Sequence, residues 1–169
     1  MIDLALGTVW SLSGNWTAPG LSAAAAVRPV PVVELQVAAA GFALDRGRTT
    51  DEFRQTGVFG SLSFTQVRGF GEVTVGVFPL AVEHDGWHTS AGLRVGGALV
   101  AREVGIQDLD DWVSAEDPAT RPGWVVSGVG EIGRGHVGGR LVLEHLKWVE
   151  PEGYRPSVLC PSVAVFARW

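Results

Sequence analysis

Alternation of apolar and polar residues runs through most of this chain, and it limits the fold more than any other feature. In the segment 88–102 the odd positions are largely apolar, whereas the even positions include His88, Ser90, Arg94 and Arg102. Successive side chains of a β-strand point to opposite faces, so this period of two predicts a strand with one apolar face. The same pattern recurs in segments 2–12, 21–28, 33–39, 124–132, 137–143 and 159–169. The chain is therefore predicted to be all-β.

The strand count depends on the segment 57–80, where the apolar positions change from even to odd. Leu62 and Phe64 give way to Val73 and Val75, with the change near residues 68–71. Such a slip indicates a bulge or a hairpin, which gives eight or nine strands respectively. We prefer eight, because single-chain bacterial barrels have even strand counts. The prediction is a closed antiparallel up-and-down transmembrane β-barrel formed by one domain, 1–169.

The breaks in the alternation predict how the strands are connected. Short turns are expected at 28–31, 80–87 and 133–135, and longer loops at 13–20, 45–56, 103–123 and 149–154. Long loops on one side are typical of such barrels. Within the longest loop, the three aspartates of segment 106–115 suggest a short acidic helix.

Composition excludes several function classes. The net charge is −5, with thirteen scattered basic residues, so no basic surface for a nucleic-acid partner is expected. The single cysteine, Cys160, rules out an intramolecular disulfide and a multi-cysteine metal site. No cofactor and no metal site is predicted.

Charged residues on the polar face indicate which face points inward. A closed barrel too narrow for a channel fills its interior with paired charges and small residues. We therefore predict apolar residues facing lipid and a polar lumen. The predicted lumenal charge network is Glu34, Glu72, Arg94, Glu131, Arg140, Glu144 and Arg168. The alternatives are a soluble lipocalin-like barrel with the apolar face inward, and a designed barrel.

Tryptophans near strand ends support the membrane interpretation. Amphipathic rings favour the headgroup level, so they predict an aromatic girdle at the membrane interface. Its members would be Trp10, Trp87, Trp124, Trp148 and Trp169. The start of the sequence lacks the basic and apolar regions of a signal peptide, and we expect the full gene product to carry one.

These features together resemble the small eight-stranded outer-membrane proteins of the OmpA, OmpX and OmpW type, including outer-membrane β-barrel domains of myxobacteria. The alternating final segment 163–169, which ends on an aromatic residue, resembles the signal by which such barrels are recognised for insertion. The resemblance implies a porin-like topology in the bacterial outer membrane, in contact with the bilayer and lipopolysaccharide. It also implies a non-enzymatic scaffold that binds a protein partner through its extracellular loops.

One segment suggests catalysis as an alternative. His88 and Ser90 resemble the His-x-Ser pattern of PagL-type lipid A deacylases, and they share a strand face, as a base and its nucleophile require. Glu103 is the candidate for orienting the histidine. The family's asparagine after the serine is replaced by Ala91, and the pair shares the parity of Arg94 rather than facing lipid. A lipid A hydrolase therefore remains the second hypothesis.

Overall fold

The computed structural model describes residues 1–13, 16–43, 61–108, 111–114, 119–151, 153 and 155–169. These residues form nine strands and no helix that is long and apolar enough to cross a membrane. The strands are β1 (Ile2–Ser13), β2 (Trp16–Val30), β3 (Val33–Phe42), β4 (Ser61–His84), β5 (Trp87–Asp108), β6 (Asp111–Ser114), β7 (Ala119–Arg134), β8 (Val137–Trp148) and β9 (Ser157–Arg168).

Eight of these strands close into an antiparallel barrel. Their order is β4, β3, β2, β1, β9, β8, β7 and β5, and pairing of β5 with β4 closes the ring. The predicted eight-stranded barrel is confirmed. A register shift between Val67 and Gly69 interrupts the β4–β5 ladder, so the change of phase near residue 68 is a bulge within one long strand.

Three tight connections define what we call the short-turn end of the barrel. They join β2 to β3, β4 to β5 and β7 to β8. Asp85 and Gly86 both have positive φ, at 50° and 76°, which is the requirement of a two-residue hairpin turn whose twist matches the strands. Because of this turn, β4 continues to His84, and the predicted connection 80–87 shrinks to two residues.

The opposite end, which we call the long-loop end, has longer strands than predicted. β2 already begins at Trp16, within the predicted loop 13–20, and strands β5, β6 and β7 occupy much of the predicted loop 103–123. The described residues of 106–115 form no acidic helix, because β5 continues to Asp108 and β6 pairs with it as a short hairpin. Backbone ladder bonds take precedence there over local helix propensity. The predicted loop 45–56 lies outside the described residues.

The outer surface of the barrel is a broad apolar belt. Leu6, Leu21, Leu93 and Val165 are each about two-thirds exposed or more, at 66%, 73%, 67% and 70%. Residues of the opposite parity, such as Glu34, are buried in the lumen. The apolar parity thus faces outward, which contradicts the soluble lipocalin-like alternative. Soluble monomers rarely expose so broad an apolar surface, and a surface of this kind marks a site of contact with lipid or another apolar partner.

Candidate functional site

A buried ion-pair network fills the short-turn half of the lumen. Glu131 of β7 lies at its centre. Its Oε1 accepts hydrogen bonds from Arg28 at 2.6 Å and from Arg140 at 2.8 Å, and its Oε2 accepts from Arg168 at 3.1 Å and from Ser90 at 2.9 Å. These residues come from β2, β5, β7, β8 and β9, so the network crosslinks distant parts of the barrel wall.

Two further carboxylates complete the network. Glu34 accepts from Arg28 at 2.8 Å and from Arg94 at 2.7 Å. Asp3 accepts from Arg168 at 2.8 Å. The carboxylate oxygens of Asp3, Glu34 and Glu131 all lie within 4.8 Å of one another, as they would around a metal ion. Arginine side chains already donate to each of the three, so guanidinium groups supply the positive charge that a cation would bring.

Aromatic rings pack against the guanidinium groups. Arg28 lies 4.2 Å from the centroid of the Phe78 ring, and Phe78 is fully buried. Arg168 and Arg140 lie 4.8 Å and 5.3 Å from the centroid of the Phe166 ring. Cation–π contacts are strongest where both groups are removed from water, so the rings stabilise charges in the lumen.

Sequence reasoning assigned part of this network and missed part of it. All seven predicted lumenal residues point into the barrel: Glu34, Glu72, Arg94, Glu131, Arg140, Glu144 and Arg168. Glu72 and Glu144 lie side by side toward the middle, where Gln36 Nε2 donates to Glu72 Oε1 at 3.2 Å. Asp3 and Arg28 were missed. On its own strand, each of them occupies the same alternate positions as small residues that face inward. This shared parity could have identified both as lumenal.

The long-loop half of the lumen is apolar, which corrects the prediction of a uniformly polar interior. Its buried residues are Val9, Phe42, Val67, Phe70, Ala98, Val100, Val125, Leu146, Trp148, Val158 and Cys160. Between the two halves lies a cavity of about 30 Å³, which is room for roughly one water molecule. Side chains therefore fill the lumen along most of its described length.

A polar cluster lies beyond the apolar half of the lumen, toward the long-loop end. Glu150, just after β8, accepts hydrogen bonds from Trp148 Nε1 at 2.9 Å, from Arg102 at 2.7 Å and from Arg121 at 3.1 Å. Burial alone would raise the pKa of Glu150, but these three donors lower it below its ordinary value. The carboxylate is thus held in its charged form as the acceptor that joins β5, β7 and β8.

The predicted tryptophan girdle needs one correction. Trp87, Trp124 and Trp169 are exposed on the outer surface, and Trp10 is half-buried. Trp148, in contrast, is 3% exposed and lies inside the barrel. It shares the parity of Arg140 on β8, and its indole N–H has a buried acceptor in Glu150. The prediction placed Trp148 at the membrane interface because it lies near a strand end, and did not take its parity into account.

The three candidate catalytic residues are not brought together. Ser90 Oγ donates to Glu131 rather than pairing with His88. The ring of His88 lies over Gly133 of β7, where a Cβ would collide with it, and Phe166 is 5.9 Å away. Glu103 pairs with Arg68 at the long-loop end. It is thirteen residues from Ser90 along β5, or about 40 Å. The three residues of the alternative hypothesis therefore do not form a triad in the structure.

At the long-loop end the ladder between β4 and β5 runs past the last described pairs with their other neighbours. Among the described residues, the last pair of β3 with β4 is at Gly69 and the last pair of β7 with β5 is at Arg102. Beyond these points β4 and β5 remain paired from Val67 with Arg102 to Ser61 with Asp108, and β6 adds a third strand. We call segments 61–67, 102–108 and 111–114 the projecting sheet. Seven residues of strand extend about 23 Å.

Solved structures with this architecture decide the fold. Ail, the attachment invasion locus protein of Yersinia pestis, matches with a TM-score of 0.58 at 8% identity, over 99% of this chain and 97% of that one. The N-terminal β-barrel domain of Pseudomonas aeruginosa OprF matches with a TM-score of 0.58 at 7% identity, over 98% and 96%. This is the fold of the small outer-membrane β-barrels.

A third solved structure shares this outer-membrane barrel fold. Neisserial surface protein A matches with a TM-score of 0.54 at 11% identity, over 99% of this chain and 96% of that one. No protein-family model and no curated protein matches the sequence. At these identities the likeness concerns the outer-membrane barrel fold and carries no activity from one protein to another.

Proposed function

We propose that this chain is a non-enzymatic protein of the bacterial outer membrane whose projecting sheet binds an extended segment of a protein partner. The observation that carries the proposal is the projecting sheet itself. Over 61–67, β4 pairs with β5 past the last described pair of the β3–β4 ladder, and β6 adds a third strand beside β5. Addition of a strand to a sheet edge binds an extended peptide through main-chain hydrogen bonds.

The remaining geometry favours binding over transport or catalysis. The lumen is filled by the ion-pair network, the apolar cluster and the polar cluster around Glu150, so a ligand finds little room inside. The apolar belt supports a location in a bilayer, with lipopolysaccharide in the leaflet at the long-loop end. Binding of a partner would then be carried out by the segments that extend beyond the membrane, among them the projecting sheet.

Deletion of residues 61–66 together with 104–114 tests the binding role. Peptides selected from a random phage library on the wild-type protein in nanodiscs are expected to bind the wild type and to lose binding to the deletion variant. The control variant carries a Gly-Ser insertion at the Asp85–Gly86 turn, which leaves the long-loop end intact. Equal binding of the selected peptides to all three proteins would contradict the proposal.

Substitution of Ser90 tests the alternative of lipid A hydrolysis. We expect Ser90→Ala to leave the lipid A of expressing cells unchanged, and the wild type itself to remove no acyl chain. Ser90 Oγ donates to Glu131 inside the lumen, and three arginine side chains already donate to this carboxylate, which makes it a poor general base. Mass spectrometry of lipid A is the measurement. Acyl loss with the wild type that disappears in Ser90→Ala would establish the hydrolase.

A further inference from the structure

A polar patch interrupts the outer surface where the apolar belt ends. On β8 the outward residues are apolar at Leu141 and Leu143, and they then change to His145 and Lys147. Lys147 lies opposite Trp124 of β7, with its Nζ 5.5 Å from the centroid of the indole ring. The His145 ring meets the same indole edge-on, at a centroid distance of 6.3 Å. The three side chains form one cluster, the Trp124 patch.

The height of this patch matches a membrane interface. At the short-turn end Arg134 of β7 lies opposite Trp87, with its guanidinium 5.8 Å from the ring centroid. Ten residues of β7 separate Arg134 from Trp124. At about 3.3 Å per residue and a strand tilt of about 40°, this span covers about 25 Å, the height of the apolar band of outer-membrane barrels. The two cation–aromatic pairs therefore mark the two edges of the belt.

The positive charge of Lys147 has no anionic partner in the described part of the chain. Its ammonium group contacts the Trp124 ring, whereas the lumenal arginines pair with carboxylates. Lys147 is also the single lysine of the sequence. A cation held at the headgroup level by an indole ring faces the phosphates of lipids, which are the anions available at that depth.

We propose that the Trp124 patch binds the phosphate of a lipid headgroup in the leaflet at the long-loop end. Lys147 supplies the ammonium group and His145 an additional ring N–H donor, while the Trp124 indole holds the ammonium in place and packs against the lipid. The site goes beyond the proposed partner-binding role, because it involves β7 and β8 rather than the projecting sheet.

The pair at the short-turn end provides a matched control. Arg134 and Trp87 form the same type of contact, but Glu83 and Asp85 lie at the adjoining turn and are exposed. Like charges near the phosphate weaken its binding there. The Arg134→Gln variant thus removes the same charge from a site that the proposal does not assign to lipid phosphate.

Native mass spectrometry of the whole protein, released from micelles that contain phosphatidylglycerol or phosphatidylcholine, tests the proposal. Retention of phosphatidylglycerol is expected to fall about fivefold in Lys147→Gln, to persist in Lys147→Arg, and to stay unchanged in Arg134→Gln. A heat-dependent shift in gel mobility checks that each variant is folded. Each substituted residue lies on the outer surface of the barrel, so we expect the variants to fold.

Three outcomes would overturn the proposal. One is an equal loss of phosphatidylglycerol in Lys147→Gln and Arg134→Gln, which would indicate nonspecific electrostatic attraction rather than a defined binding site. A second is equal retention of phosphatidylcholine and phosphatidylglycerol by the wild type. The third is displacement of the lipid by millimolar inorganic phosphate, which would show that the patch takes free phosphate rather than a lipid.

Discussion

Replacement of Glu131 by leucine is expected to lower the free energy of unfolding by about 3–5 kcal/mol. Glu131 is 3% exposed and accepts hydrogen bonds from Arg28, Arg140 and Arg168. Leucine of similar size offers these guanidinium groups no acceptor, and the remaining carboxylates of Asp3 and Glu34 cannot satisfy all of them. Urea titration of the protein folded into phospholipid vesicles, followed by tryptophan fluorescence, measures the change.

The control for this prediction is Glu83→Leu at the short-turn end. Glu83 is exposed, so the same chemical change there is expected to alter the free energy of unfolding by less than about 0.5 kcal/mol. If both variants lost equal stability, the effect would come from net charge or from the new leucine. The buried network would then contribute nothing particular to the stability of the barrel.

Sequence alone predicted the closed barrel because parity is a local property. A strand needs only its own residues to show which face is apolar, and a phase change such as that between Val67 and Gly69 is visible as two parities in one segment. The same reasoning placed Arg94 and Glu131 on the inward face. Parity could not predict which residues pair within the network, because Arg28 and Glu131 are 103 residues apart in the sequence and meet only when the barrel closes.

The prediction failed where another rule overrode parity. Trp148 was assigned to the membrane interface because it ends a strand, although its even position on β8 is that of Arg140 and Glu144. The apolar filling of the long-loop half, with Phe70 and Leu146, was not predicted either. A residue on the inward face can be charged or apolar, and which of the two fits depends on the neighbours that closure brings to the same level.

Introduction of an arginine on the outer face of β5 tests the membrane location, and Leu93→Arg is expected to cost about 2–4 kcal/mol. Leu93 is 67% exposed on the outer surface, six residues from Trp87 and four from Gly97, which lies opposite Trp124. It is therefore close to the middle of the apolar belt. A charge at that depth must be removed from water, which accounts for the cost. Urea titration in vesicles gives the value.

The matched control is Thr89→Arg, two residues from Trp87 on the same strand and the same outer face. A charge near the edge of the bilayer reaches the headgroups, so the expected cost there is about 0–1 kcal/mol. In a water-soluble protein both positions would be solvent-exposed, and both substitutions would be nearly neutral. Equal, small effects at Leu93 and Thr89, together with a monodisperse monomer in the absence of detergent, would contradict a membrane-spanning barrel. A cost that rises from the belt's edge to its centre requires an apolar medium around the strand, because the lumenal side chains are the same in both variants.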